Sequence, residues 1–225
     1  MLDTLYYLLV FLVAALCVTI VRRVRPDRAL PAGLATSGWL VITAILATSG
    51  LLAGFPTSVL MLSTTAILAV YFVPLGQRVA ATAPLWLLVG LQSFRFPLEL
   101  LLHEYYHAGT LPVQMTYAGL NFDILTGLAA LPLAWALHRG VAGRRWVWAW
   151  NVLGSVLLVT VVAIAVLSLP LPIRQFPDEP STLVIATSLL VWVPTFLVVS
   201  AAVGHLMVFR RLRLEGKTRP AAVNA

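Results

Sequence analysis

Charge is scarce in this chain. Only 10% of its 225 residues are Asp, Glu, Lys or Arg, while 60% are hydrophobic. Ordinary soluble domains carry about 25% charged residues, so the composition excludes a soluble globular domain and reads as an integral membrane protein. Cysteine occurs once, at Cys17, which excludes an intrachain disulfide and a cysteine-based zinc site. Leu16 stands where a lipoprotein signal needs a small residue, and no basic segment precedes the first apolar run. That run therefore reads as a retained span rather than a cleaved signal. Lysine is confined to Lys217, which argues against a retinal Schiff base within a span. The net charge of +7 raises the question of nucleic acid, but the placement of the basic residues points to membrane topology instead.

Seven apolar stretches are long enough to cross a bilayer as helices: roughly 3–21, 33–54, 57–75, 84–108, 121–138, 146–169 and 182–209. Basic residues follow the first span (Arg22, Arg23, Arg25, Arg28) and lie between the third and fourth (Arg78). Others lie between the fifth and sixth (Arg139, Arg144, Arg145) and in the tail (Arg210, Arg211, Arg213, Lys217, Arg219). Under a seven-span reading all of these fall on one side, and the positive-inside rule gives an outside N-terminus and an inside C-terminus. The chain thus reads as one all-α transmembrane bundle over 1–209 with a basic cytoplasmic tail, 210–225. Arginine-rich, alanine-rich usage fits a bacterial source, hence a multi-pass protein of the inner membrane. The tail suits anchoring beside anionic lipid, and Trp146, Trp148 and Trp150 read as an interfacial belt.

Against this background residues 92–123 stand out. Gln92, Arg95, Glu99, His103, Glu104 and His107 lie in one apolar segment, with Asn121 and Asp123 opening the next. An ionisable group in hydrocarbon is expensive unless it is paired or faces water. At 100° per residue, Gln92, Arg95, Glu99 and His103 share one helical stripe. Arg95 and Glu99 are i,i+4 neighbours, so the spacing predicts an intrahelical ion pair, beside a kink at Pro97. The short connection 109–120 predicts that Asn121 and Asp123 meet His103 and His107 at the outer end, forming an outward-facing polar site between the fourth and fifth spans. Asn121 or Asp123 is also suited to cap the fifth helix. A capped N-terminus near Arg95 would favour a small anionic ligand.

His103-Glu104-Tyr105-Tyr106-His107 matches the pattern HExxH. On a helix, His103 and His107 project from one face and can share a zinc ion, with Glu104 as general base and Asp123 or Glu99 as third ligand. The motif resembles that of zinc metalloproteases, including intramembrane ones that take a third ligand from an aspartate on a later span. That resemblance implies metal-assisted hydrolysis with Glu104 catalytic and His103, His107 and Asp123 as ligands. The interval from His107 to Asp123 is shorter than that group shows. The plainer alternative makes these residues interfacial side chains at a helix end.

A second resemblance covers about a third of the chain. Gln92-Ser93-Phe94-Arg95, Glu99, Met115-Thr116 and Gly119 to Ile124 are similar to a set of uncharacterised bacterial multi-span membrane proteins. It implies a shared architecture and no activity, cofactor or substrate. Two functional classes therefore stand open. One is metal-dependent hydrolysis at His103, Glu104 and His107. The other is non-enzymatic binding or transport of a small polar or anionic ligand through Gln92, Arg95, Glu99, Asn121 and Asp123. A purely structural ion pair is a third outcome. The partners implied are the lipid bilayer and a small polar ligand, with no nucleic acid.

Overall fold

The computed structural model describes residues 1–218, so Arg219 and the rest of the basic tail beyond it lie outside the described residues. Within them the chain is helical and contains no strand. The helices of seven or more residues are α1 (Leu2–Val24), α2 (Ala29–Thr48), α3 (Thr57–Phe72), α4 (Pro74–Thr82), α5 (Leu85–Leu91), α6 (Arg95–His107), α7 (Ile124–His138), α8 (Arg144–Leu167) and α9 (Val198–Thr218).

Five helical runs are long and apolar enough to cross a membrane: Leu2–Val24, Pro26–Thr48, Leu85–His107, Arg144–Leu167 and Leu189–Gly216. A sixth results if α3 and α4 are taken as one span bent by 66°. The bend has a local cause. Val73 precedes Pro74 and is extended, with φ −63° and ψ 148°, the conformation forced on a residue before proline. Gln77 donates its side-chain amide to the Phe72 carbonyl at 2.8 Å, satisfying an acceptor that the break exposes. The sequence places one uninterrupted span at 57–75, whereas the chain turns aside here into α4.

The fifth apolar stretch differs more. Its helix, α7, has 15 residues, about 22 Å at 1.5 Å per residue, against a hydrocarbon core of about 30 Å. Pro97 removes the donor that would bind the Ser93 carbonyl, and the run tightens into a 3-10 turn at Gln92–Phe94 between α5 and α6.

Several basic residues meet at one end of the bundle. Arg23 lies over the Trp86 ring, Trp86 packs on His138 with centroids 4.8 Å apart, and Arg144 donates to the Leu212 carbonyl. Arg211 reaches the Ala81 carbonyl. At the opposite end Tyr105 donates to Asp3 at 2.6 Å, and Arg174 folds onto its own loop at Glu179. Leu8, Phe11 and Leu12 of α1 and Leu34, Val41 and Ile45 of α2 are exposed, a surface that only hydrocarbon solvates well. α9 is the central element and packs on α3, α4, α5 and α8. It starts from a π turn, Val193–Leu197, containing Pro194, where the Thr195 carbonyl accepts from the Trp39 indole at 2.8 Å.

Candidate functional site

The polar cluster forms where four segments converge at mid-depth. Arg95 opens α6, midway along the run Leu85–His107, and is 1% exposed. Its guanidinium grips the Asp123 carboxylate with two parallel bonds, Nε to Oδ2 at 2.5 Å and Nη2 to Oδ1. This fork-to-fork geometry is the strongest that arginine makes with a carboxylate. Nη1 reaches His205 Nε2 of α9 at 2.6 Å, and Nη2 also reaches the Gly154 carbonyl of α8 at 3.3 Å. A guanidinium only donates, so Nε2 of His205 must accept. Its proton therefore sits on Nδ1, which meets Asn151 Oδ1 at 2.8 Å. Asn151 returns a bond from Nδ2 to the His205 carbonyl at 3.2 Å. The hydrogen-bond logic makes His205 a neutral imidazole.

Glu99 lies one turn further along α6 and is 2% exposed. Asn121 donates to its Oε2 at 2.7 Å and to the Met115 carbonyl at 3.0 Å, using both amide hydrogens. Asn121 Oδ1 accepts from the Asp123 backbone at 3.1 Å, so the Asn-Phe-Asp turn presents Asn121 to Glu99 and Asp123 to Arg95.

Several expectations are corrected. Arg95 pairs across helices with Asp123, not along α6 with Glu99, because the Asp123 carboxylate meets the guanidinium fork face to face. Asp123 occupies the N-cap position of α7 but makes no side-chain capping bond; its carboxylate is taken by Arg95. Asn121 and Asp123 do not lie beside the histidines at the end of α6. They meet Arg95 and Glu99 at mid-depth because the connection 108–123 folds back into the protein. Leu111, Met115 and Thr116 of that connection are buried, consistent with the rule that non-helical backbone at membrane depth survives only inside protein. Gly127 permits this approach, since a Cβ there would strike the backbone of Arg95 and Phe96.

The HExxH residues form a second, separate group. His103 and His107 face each other with their Nε2 atoms 3.0 Å apart, and Tyr117 lies over His103 with ring centroids 4.4 Å apart. His107 and Glu104 are exposed. The third ligand expected from Asp123 does not join them, because Arg95 holds it more than two turns away along α6. Glu99 is likewise engaged by Asn121. Among the described residues no group of three or more His, Cys, Asp or Glu side chains is disposed to hold a metal. Gln92 is buried on the α9 side, donating to the Ala201 carbonyl at 3.4 Å, with Gly204 leaving room for its amide.

His205, Asn151 and Gly154 complete the cluster and were not among the expected site residues. A His or Asn within an apolar span is itself the signal. Beside the cluster lies a chamber of about 130 Å³. Its walls include Leu60 and Ser63 of α3, Leu98 of α6 and Leu158 of α8, and Arg95, Glu99 and Asp123 reach it. The chamber is thus mostly apolar, with its charged groups confined to the side where Arg95, Glu99 and Asp123 meet it.

These features define a helical protein of the membrane-spanning type, organised around a buried Arg-Asp-His-Asn network with a second acid beside it. The chain belongs to the family described as Domain of unknown function (DUF8737), which matches residues 52–213 and therefore includes every residue of the network. No curated protein and no solved structure matches the chain.

Proposed function

We propose that this is a multi-pass protein of the bacterial inner membrane that binds a small cationic ligand, or a proton, at Glu99, in a non-enzymatic binding or transport role. One observation carries the reading. Arg95 is consumed by Asp123 in a bidentate pair, His205 is neutral by its hydrogen bonds, and Glu99 has no cationic partner of its own among the described residues. The cluster therefore holds one positive and two negative groups. A surplus charge at this depth calls for a balancing partner. An anionic ligand on Arg95 is disfavoured for the same reason, since four of its five N–H donors are already used. The chamber, about 130 Å³, suits a small group. The topology that accompanies this reading has the N-terminus outside and the C-terminus inside, with α7 entering only from mid-depth to the basic side.

The test is thermal unfolding of the purified protein with methylammonium or acetate as probes, because a ligand that binds only the folded state raises its stability. Methylammonium should raise the Tm of the wild type and leave Glu99→Gln unmoved. A shift with acetate and none with methylammonium would restore the anion reading and sink this one.

A second reading, metal-assisted hydrolysis with zinc on His103 and His107 and Glu104 as base, is favoured by the two facing Nε2 atoms 3.0 Å apart. It lacks a third protein ligand, which a catalytic zinc site needs.

A further inference from the structure

A second cavity, of about 470 Å³, lies further along α3 toward the basic end, lined by α1, α2, α3, α4, α5 and α9. Its volume falls in the range of about 300–1,000 Å³ typical of ligand sites. The wall toward α2 is built from Ala32, Ala35 and Thr36, and that toward α3 from Thr65, Ala66 and Ala69. Small residues on facing helices usually let backbones close up; here they border open space instead. The helix faces beside it, Leu30 and Leu34 of α2 and Leu68 and Val70 of α3, are exposed apolar surface, so the natural occupant of the gap is hydrocarbon. The cavity extends toward the basic end through Val21, Gly76 and Met207. Arg210, one helical turn beyond Met207, is held there over the Tyr71 ring at 5.8 Å and beside Gln77 at 3.3 Å. Arg22 follows Val21 directly, and Arg25 and Arg28 share the single acid Asp27. Apolar walls and a cationic mouth are complementary to an acyl chain carrying an anionic headgroup.

We propose that this cavity is a site for an anionic phospholipid of the leaflet at the basic end, with one acyl chain between α2 and α3 and the phosphate at Arg210. The lipid fills a gap further along α3 than the Glu99 chamber, so it supports the helix that forms one wall of that chamber.

The experiment uses the full chain in vesicles doped with phosphatidylglycerol or phosphatidylcholine carrying a chain-terminal photoactivatable diazirine. Adducts are mapped by mass spectrometry. Phosphatidylglycerol should label the cavity walls at Cys17, Thr36 and Ala66, about fivefold more than phosphatidylcholine for one headgroup–arginine contact. Arg210→Gln should bring that ratio close to one, and Ala66→Phe should remove the wall adducts in both lipids. If Ala66→Phe does not yield folded protein, judged by monodisperse elution and a cooperative melt, Ala35→Leu on the opposite wall decides the same point. Adducts confined to the outward-facing Leu34 and Leu68, or equal labelling by the two headgroups in the wild type, would overturn the proposal.

Discussion

Two polar groups share the helix α6 and have opposite characters. Arg95 and Glu99, at its start, are buried and draw their partners from the turn before α7, from α8 and from α9. His103 and His107, at its end, bond chiefly to each other, and His107 faces outward. The first group depends on the tertiary fold and helps define it. The second is a local consequence of i,i+4 spacing. The familiar motif belongs to the group with the fewer partners. A short pattern reports which side chains a helix aligns, while the energetics depend on what the rest of the chain brings to them.

The comparison breaks most severely at Asp123. Replacing it by alanine leaves the Arg95 guanidinium buried without its counter-charge, a change that typically destabilises by about 3–5 kcal/mol. Denaturant unfolding in detergent micelles should show a loss of that order, or no folded protein at all. The double variant Arg95→Met with Asp123→Leu should recover most of the loss, since an apolar pair of similar volume removes both charges. A loss under about 1 kcal/mol for Asp123→Ala would mean that water reaches the pair, and that the inner group is no different in kind from the outer one.

Much of this was legible in the sequence, and the rest was hidden for definable reasons. The stripe Gln92-Arg95-Glu99 and the Asn-Phe-Asp turn stood out because ionisable residues are rare in apolar segments. Their pairing did not, because sequence spacing exposes neighbours at i,i+4 and gives no access to a carboxylate 28 positions away. The depth of Asp123 was also hidden. The stretch 121–138 has the composition of a full span, yet its helix begins at mid-depth because buried loop residues such as Leu111 and Met115 carry the chain inward first. The α3–α4 bend was written in Val73-Pro74, where proline's restriction of its predecessor is a local rule. His205 and Asn151 lie in separate apolar spans 110 and 56 positions from Arg95, so no spacing pattern linked them to it.

A smaller effect is expected at Asn151. It accepts from His205 Nδ1 and donates back to the His205 carbonyl, which fixes the tautomer that lets Nε2 accept from Arg95. Interhelical hydrogen bonds within membranes average about 0.6 kcal/mol and reach about 1.7 kcal/mol, so Asn151→Leu should fall in that interval by the same unfolding assay. A loss as large as that of Asp123→Ala would show that the histidine relay, and not the ion pair, is what holds the inner group together.

The smallest effect is expected at the outer histidines. The His103–His107 contact joins residues of one helix, His107 is exposed, and apart from the ring of Tyr117 over His103 the pair recruits little from elsewhere. Surface substitutions without buried partners usually stay within about 0.5 kcal/mol, and His107→Ala should behave that way. His103→Ala should cost slightly more, since its ring packs on Tyr117. Zinc titration of the same proteins gives an independent readout. Two histidines without a third protein ligand should bind zinc weakly, and removing either should abolish whatever binding there is. Tight zinc binding by the wild type, lost in both variants, would move the chemistry to the exposed end of α6 and make the buried pair its scaffold. Uptake unchanged in His103→Ala would remove the metal reading and leave Glu99 as the chemically open position on the helix.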